Sequence, residues 1–151
     1  MRIVDTLLAR FRGVRRNDPV FGPMRYMGDR LRYWECKVTS APTSSVVETF
    51  VDGSAEDSMG VQHRFFEQFL KEWPTISEAI GRTLLEKWQE RKSNTRAESP
   101  WDIFKLSSLS IPSASIDDAK WEISFATSTD PNHLWTVQMA GRKPQRVSLE
   151  G

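Results

Sequence analysis

The stretch from Ser58 to Ser93 is the longest uninterrupted periodic pattern in the chain, and it limits what the rest can fold into. Val61, Phe65, Phe66, Phe69, Leu70 and Trp73 recur at three- and four-residue steps, which gathers them on one helical face. Pro74 follows. A residue before proline is pushed away from helical geometry, and proline suits a first helical turn, so the pattern predicts two helices divided at Trp73. The second carries Ile76, Ile80, Leu84, Leu85 and Trp88 on its stripe and Glu78, Arg82, Glu86, Lys87, Glu90 and Arg91 elsewhere. Charge pairs of mixed sign add at most a few tenths of a kcal/mol each. Burying one Phe or Trp is worth roughly 1.5 to 3 kcal/mol, so the rings decide, and a helical pair so loaded needs a sheet to lie on. Ser58 is the expected N-cap.

On either side the chain reads as strand. Phe21 to Met27 is a short segment that Pro23 should keep out of the centre of a ladder. From Leu31 to Val38 the residues alternate, with Tyr33, Glu35 and Lys37 on one face and Trp34, Cys36 and Val38 on the other. Val46 to Val51 is β-branched and closes at Asp52-Gly53. Residues 91–100 read as a polar surface loop, and Ser99-Pro100-Trp101-Asp102 as a helix start. Leu106 to Ile111, Trp121 to Phe125, Leu134 to Ala140 and Arg146 to Leu149 follow as strands separated by turn chemistry. Strands grouped before and after helices, with hairpin-length connections, predict an α+β fold: an antiparallel sheet of about six strands, the central pair of helices on one face, and a short N-terminal amphipathic helix.

At 151 residues a single domain, 1–151, is expected, large enough for a core without disulfides. The one cysteine, Cys36, cannot close an internal disulfide, no apolar run reaches the length of a membrane span, and Asp5 interrupts the opening residues too early for a signal-peptide core. A cytoplasmic location is the expectation. Net charge is +1 but uneven: Arg2, Arg10, Arg12, Arg15 and Arg16 face only Asp5 in residues 1–16. With Ile3, Val4, Leu7, Leu8 and Phe11 they compose a basic amphipathic helix that either packs on the domain or meets an anionic membrane or nucleic acid. The slightly acidic remainder argues against nucleic acid.

Candidates for chemistry are sparse. His63 and His133 stand in no metal-ligand spacing, the glycines form no phosphate cradle, and neither a metal nor a cofactor is expected. Cys36, His63 and a carboxylate would make a nucleophilic set if brought together in space, although Cys36 shares the apolar face of its strand, where a thiol is ordinarily a small hydrophobe. Glu48 alternates with Val46 and Phe50 and is the carboxylate to watch, either buried and shifted or on the open face of the sheet. The six tryptophans read as core, and any left exposed would anchor a protein partner; Tyr33 and Trp101 are the two candidates.

Phe21-Gly22 with Met24 and Tyr26, Tyr33-Trp34-Glu35, the β-rich stretch ending at Asp52-Gly53, and Gln62, Phe65, Phe66, Phe69, Leu70, Trp73, Pro74, Ile76 and Ile80 together resemble small uncharacterised bacterial domains, some of them suspected immunity proteins of polymorphic toxin systems. The resemblance covers residues 18–90 and carries no catalytic motif. It implies a cytoplasmic α+β domain that acts by binding another protein. The near-neutral charge departs from the acidity common among immunity proteins. The expected function is therefore protein binding, in its specific form toxin neutralisation. The alternatives are a small hydrolase or transferase around His63, Cys36 or Glu48, and a membrane or nucleic-acid binder through the basic N-terminus. A homodimer through the second face of the sheet is also expected, because Val46 and Phe50 lie opposite Val47, Thr49 and Val51.

Overall fold

The computed structural model describes residues 14–39, 45–91 and 99–151. Eight strands form one sheet in sequential order: β1 (Arg15–Asp18), β2 (Gly22–Tyr26), β3 (Tyr33–Val38), β4 (Val47–Asp52), β5 (Phe104–Ile111), β6 (Lys120–Thr127), β7 (Leu134–Ala140) and β8 (Lys143–Glu150). Between β4 and β5 runs a single helix, α1 (Gly60–Arg91), followed by a short 3-10 turn, Pro100–Asp102. The expected pair of helices and the six-stranded antiparallel sheet are thus both corrected. Pro74 lies inside α1. The bias that proline imposes on the residue before it is overridden because Phe65, Phe66 and Phe69 on one side and Ile76, Ile80, Leu84 and Trp88 on the other are buried against the same sheet. Four or more buried side chains at roughly 1.5 to 3 kcal/mol each outweigh the roughly 3 kcal/mol that an interior proline costs.

The parallel pair follows from the same fact. A helical hairpin would return the chain to the end of the sheet it left, whereas one helix carries it to the opposite end. Consequently β5 enters alongside β4 in the same direction, and β4 and β5 are parallel while every other pairing is antiparallel.

The eighth strand is β1, whose Arg-Arg-Asn-Asp sequence has no apolar alternation. Its two core-side residues satisfy their polarity in other ways: the Arg16 guanidinium stacks 5.6 Å from the centre of the Trp34 ring and donates to the Asp57 carbonyl, while the Asp18 carboxylate is saturated by donors. Arg15 and Arg16 are therefore strand residues, not the end of a basic helix; Arg2, Arg10 and Arg12 lie outside the described residues, as does most of the loop expected at 91–100. With β1 added, β2 is an internal strand despite Pro23. Proline is tolerated there because the β2–β3 ladder engages only Arg25 and Tyr26.

The core lies between α1 and one face of the sheet, and it is built from rings. Phe65 and Phe69 meet Trp121 edge-on, and Trp88 packs against Phe104 and Trp135. The β7–β8 turn is fastened to the middle of the helix, where Arg142 donates to both oxygens of Glu72 and to Asp117. Gly141, at φ +59, allows this turn to approach closely: a Cβ there would sit 3.3 Å from the carbonyls of Ile116 and Asp117. Among the described residues, no helix is long and apolar enough to cross a membrane.

Candidate functional site

The helix start is positioned by a buried aspartate. Asp18 ends β1, and its Oδ1 accepts from the backbone N–H groups of Val20 and Phe21 at 2.8 and 2.9 Å, an Asx arrangement that shapes the β1–β2 turn. His63, in the first turn of α1, places Nε2 2.8 Å from Oδ2 of the same carboxylate. Phe21 packs against both the His63 ring and Phe66, so the turn is clasped to the helix by a polar and an aromatic contact together. Burial pushes the Asp18 carboxyl up, but the Phe21 N–H, His63 and the Val20 N–H more than offset it, and the group sits below the ordinary aspartate value.

This arrangement determines what the catalytic candidates can do. Nε2 of His63 is committed to Asp18. Cys36 faces the helix side of β3, buried, with its sulfur donating to the Thr49 carbonyl at 3.7 Å. Burial, then the charges of Asp18 and Glu35, push its thiol up to about 12, the opposite of an activated thiolate. Glu48 projects from the opposite face of the sheet, exposed, opposite Lys37 in the ladder. Asp18, His63 and Cys36 share one side of the fold and Glu48 the other, and the Cys36 thiol donates to the Thr49 carbonyl, not to the imidazole that would have to accept its proton in nucleophilic chemistry. Asp18 is not among the candidates read from the sequence; the signal that points to it is Asp18-Pro19 with Phe21 two positions on, the pattern of a capped turn. Among the described residues no cluster of His, Cys, Asp and Glu is able to hold a metal ion.

The two binding candidates also lie on opposite layers. Tyr33 is half-buried on the open face of the sheet, edge-on to Phe50. Trp101 is on the helix side, in the 3-10 turn, with 42% of its surface exposed. The turn is set by Ser99, whose hydroxyl accepts from the Trp101 N–H, and by Pro100 at its first position. The indole rests against Trp73 of α1 and Phe125 of β6, 6.2 and 5.7 Å between ring centres. It forms a wall between two grooves. One, of about 450 Å³, runs past Pro74, Glu78, Arg82 and Leu85; the other, of about 320 Å³, past Trp73, Phe104, Leu106 and Phe125. Pro100 presses on α1 at Gly81, where a Cβ would meet the proline ring at 2.7 Å. Trp101 is therefore a large exposed ring held in one orientation, with hydrophobic space on either side.

No family model, no curated protein and no solved structure matches the chain.

Proposed function

We propose that this chain acts by binding another protein, and that the partner docks on the Trp101 side of the fold. One observation carries the proposal: Trp101 is exposed between two grooves while Trp73 and Phe125 fix its orientation. Exposing an indole leaves apolar surface in water, and fixing it in advance lowers the entropy lost when a partner covers it. The partner chemistry that fits is an apolar side chain inserted beside the indole, with polar groups meeting Glu78 and Arg82 at the rim. Toxin neutralisation, which the resemblance of residues 18–90 implies, is the specific form of this reading. The occupied state of His63 and the buried, protonated thiol of Cys36 favour binding over nucleophilic chemistry.

The test is affinity capture of the tagged full chain from lysate of its own host, comparing wild type with Trp101→Ala and with Arg82→Glu at the exposed rim, each confirmed folded by circular dichroism. A stoichiometric protein held by wild type and lost by both variants supports the proposal. A partner held equally by all three places binding elsewhere, and recovery of no specific protein contradicts the binding reading itself.

A further inference from the structure

The sheet ends on two unlike edges. β1 is four residues long and turns the charged side chain of Asp18 inward, both of them features that discourage a further strand. β8 is eight residues long, with β7 on one side and no strand on the other among the described residues. Its first half is guarded by Pro144 and by the extra residue Gln145, where the register against β7 shifts. Its second half is not. Arg146 to Glu150 is an unbroken run, each residue opposite one of β7, with a basic residue at one end, an acidic one at the other and Ser148 at the centre. On the core side of this run Val147 and Leu149 are only half-buried, whereas the residues opposite them on β7, Val137 and Trp135, are buried. The Ser148 hydroxyl oxygen is itself buried and has no hydrogen-bond partner among the described residues. Thr136, which stands opposite it on β7, is paired with Ser124 at 2.9 Å.

We infer that β8 is a homodimer edge, pairing antiparallel with the β8 of a second copy about a two-fold axis that sets Ser148 opposite its own copy. Alternation and charge together select this register. Residues directly opposite each other in an antiparallel pair share a face, so a slide of one residue would turn Val147 and Leu149 away from the core side. With Ser148 on the axis, Arg146 stands opposite the second copy's Glu150 and Glu150 opposite its Arg146, while Val147 and Leu149 pair on the core side. A slide of two residues in either direction separates those charges, and a slide of four sets Arg146 on Arg146 or Glu150 on Glu150. Pro144 and Gln145 fall outside the paired run, so the N–H that proline lacks is not needed. The two Ser148 hydroxyls face each other across the axis, where each supplies the partner the other lacks in the single chain. The added strand also covers the outer sides of Val147 and Leu149. An isologous contact requires self-complementarity, and this run has it in charge, in apolar pairing and at its centre. Two eight-stranded sheets thereby become one continuous sheet, with both copies of α1 on the same side of it.

The test is sedimentation equilibrium of the full chain over a range of concentrations, for wild type, Arg146→Glu, Glu150→Arg and an equimolar mixture of those two variants, together with disulfide trapping of Ser148→Cys. Both charge changes are at exposed positions, and circular dichroism confirms folding. Each charge variant alone places like charges at both ends of the paired run, and the expected result is self-association weakened by about tenfold or more. The mixture restores opposite charges at both ends and should associate as wild type does. Ser148→Cys sets two thiols directly opposite each other, within the span that a disulfide bridges, so mild oxidation should link it into dimers. Exposed Glu122→Cys, on β6 and two strands in from this edge, should remain unlinked. The buried Cys36 is the only other cysteine and does not compete. A wild type that is monomeric at every concentration, folded charge variants that associate as wild type does or whose mixture fails to recover, or Glu122→Cys linking as readily as Ser148→Cys would each overturn the inference. Trp101→Ala leaves this dimer intact, which separates its fate from that of the partner surface.

Discussion

Asp18 and His63 are 45 residues apart in sequence, and their side chains meet at 2.8 Å, joining the β1–β2 turn to the first turn of α1. The aspartate side chain is fully buried, and two backbone N–H groups depend on it as well. Asp18→Ala leaves those donors unsatisfied and should cost about 2 to 4 kcal/mol in urea titration. The pH dependence has a definite sign. The folded pKa lies below the unfolded value of roughly 3.9, so the stabilisation is present above that value and is lost as pH falls through the folded pKa. Urea midpoints measured from neutral pH down to about pH 2.5 should fall at the acid end for wild type, and the fall should be shallower in Asp18→Asn.

Cys36 provides the complementary case at high pH. Its folded pKa of about 12 is above the unfolded value, so the contribution is complete below roughly pH 8.5 and is lost as pH rises toward the folded value. The native protein should resist a thiol-directed disulfide reagent at pH 8, with full labelling appearing only in denaturant. Rapid stoichiometric labelling of the native protein would show the thiol to be accessible and activated.

Gly81→Ala tests the contact between helix and turn. Helix propensity alone favours alanine by up to about 1 kcal/mol. The 2.7 Å approach to Pro100 opposes it, because both groups belong to packed elements. Overpacking costs about 1 to 3 kcal/mol, so the net effect should be destabilising, measured as a lower urea midpoint with unchanged slope.

Pro74→Ala should do the reverse. Pro74 is exposed, inside a continuous helix, and removes one backbone hydrogen bond. Alanine restores it, and a gain of about 1 to 3 kcal/mol is expected in thermal or urea unfolding. A loss of stability would mean that the proline ring contributes more to the wall beside Trp101 than it costs the helix.

Pro74 also shows where the sequence was legible and where it was not. The alternation of Trp34, Cys36 and Val38, of Trp121, Ile123 and Phe125, and of Trp135, Val137 and Met139 placed each of these on the buried face correctly. That pattern depends only on local geometry. The division of the helix at Trp73 was a local inference too, but the outcome was set by non-local burial on both sides of the proline. β1 was invisible because a strand that half-buries Arg16 and buries Asp18 depends on Trp34, Asp57 and His63, partners distant in sequence. The parallel pairing of β4 and β5 depended in turn on the number of helices. Of the site candidates, the exposure of Trp101 was foreseen; the role of Asp18 as the acceptor for His63 was not.

The most direct measurement of the binding account is calorimetric titration of the captured partner into wild type and Trp101→Ala. A buried tryptophan at the centre of an interface is commonly worth 2 kcal/mol or more, so the variant should bind at least about thirtyfold more weakly. Equal affinity for the two proteins, with the variant folded, would contradict the claim that this chain works through Trp101.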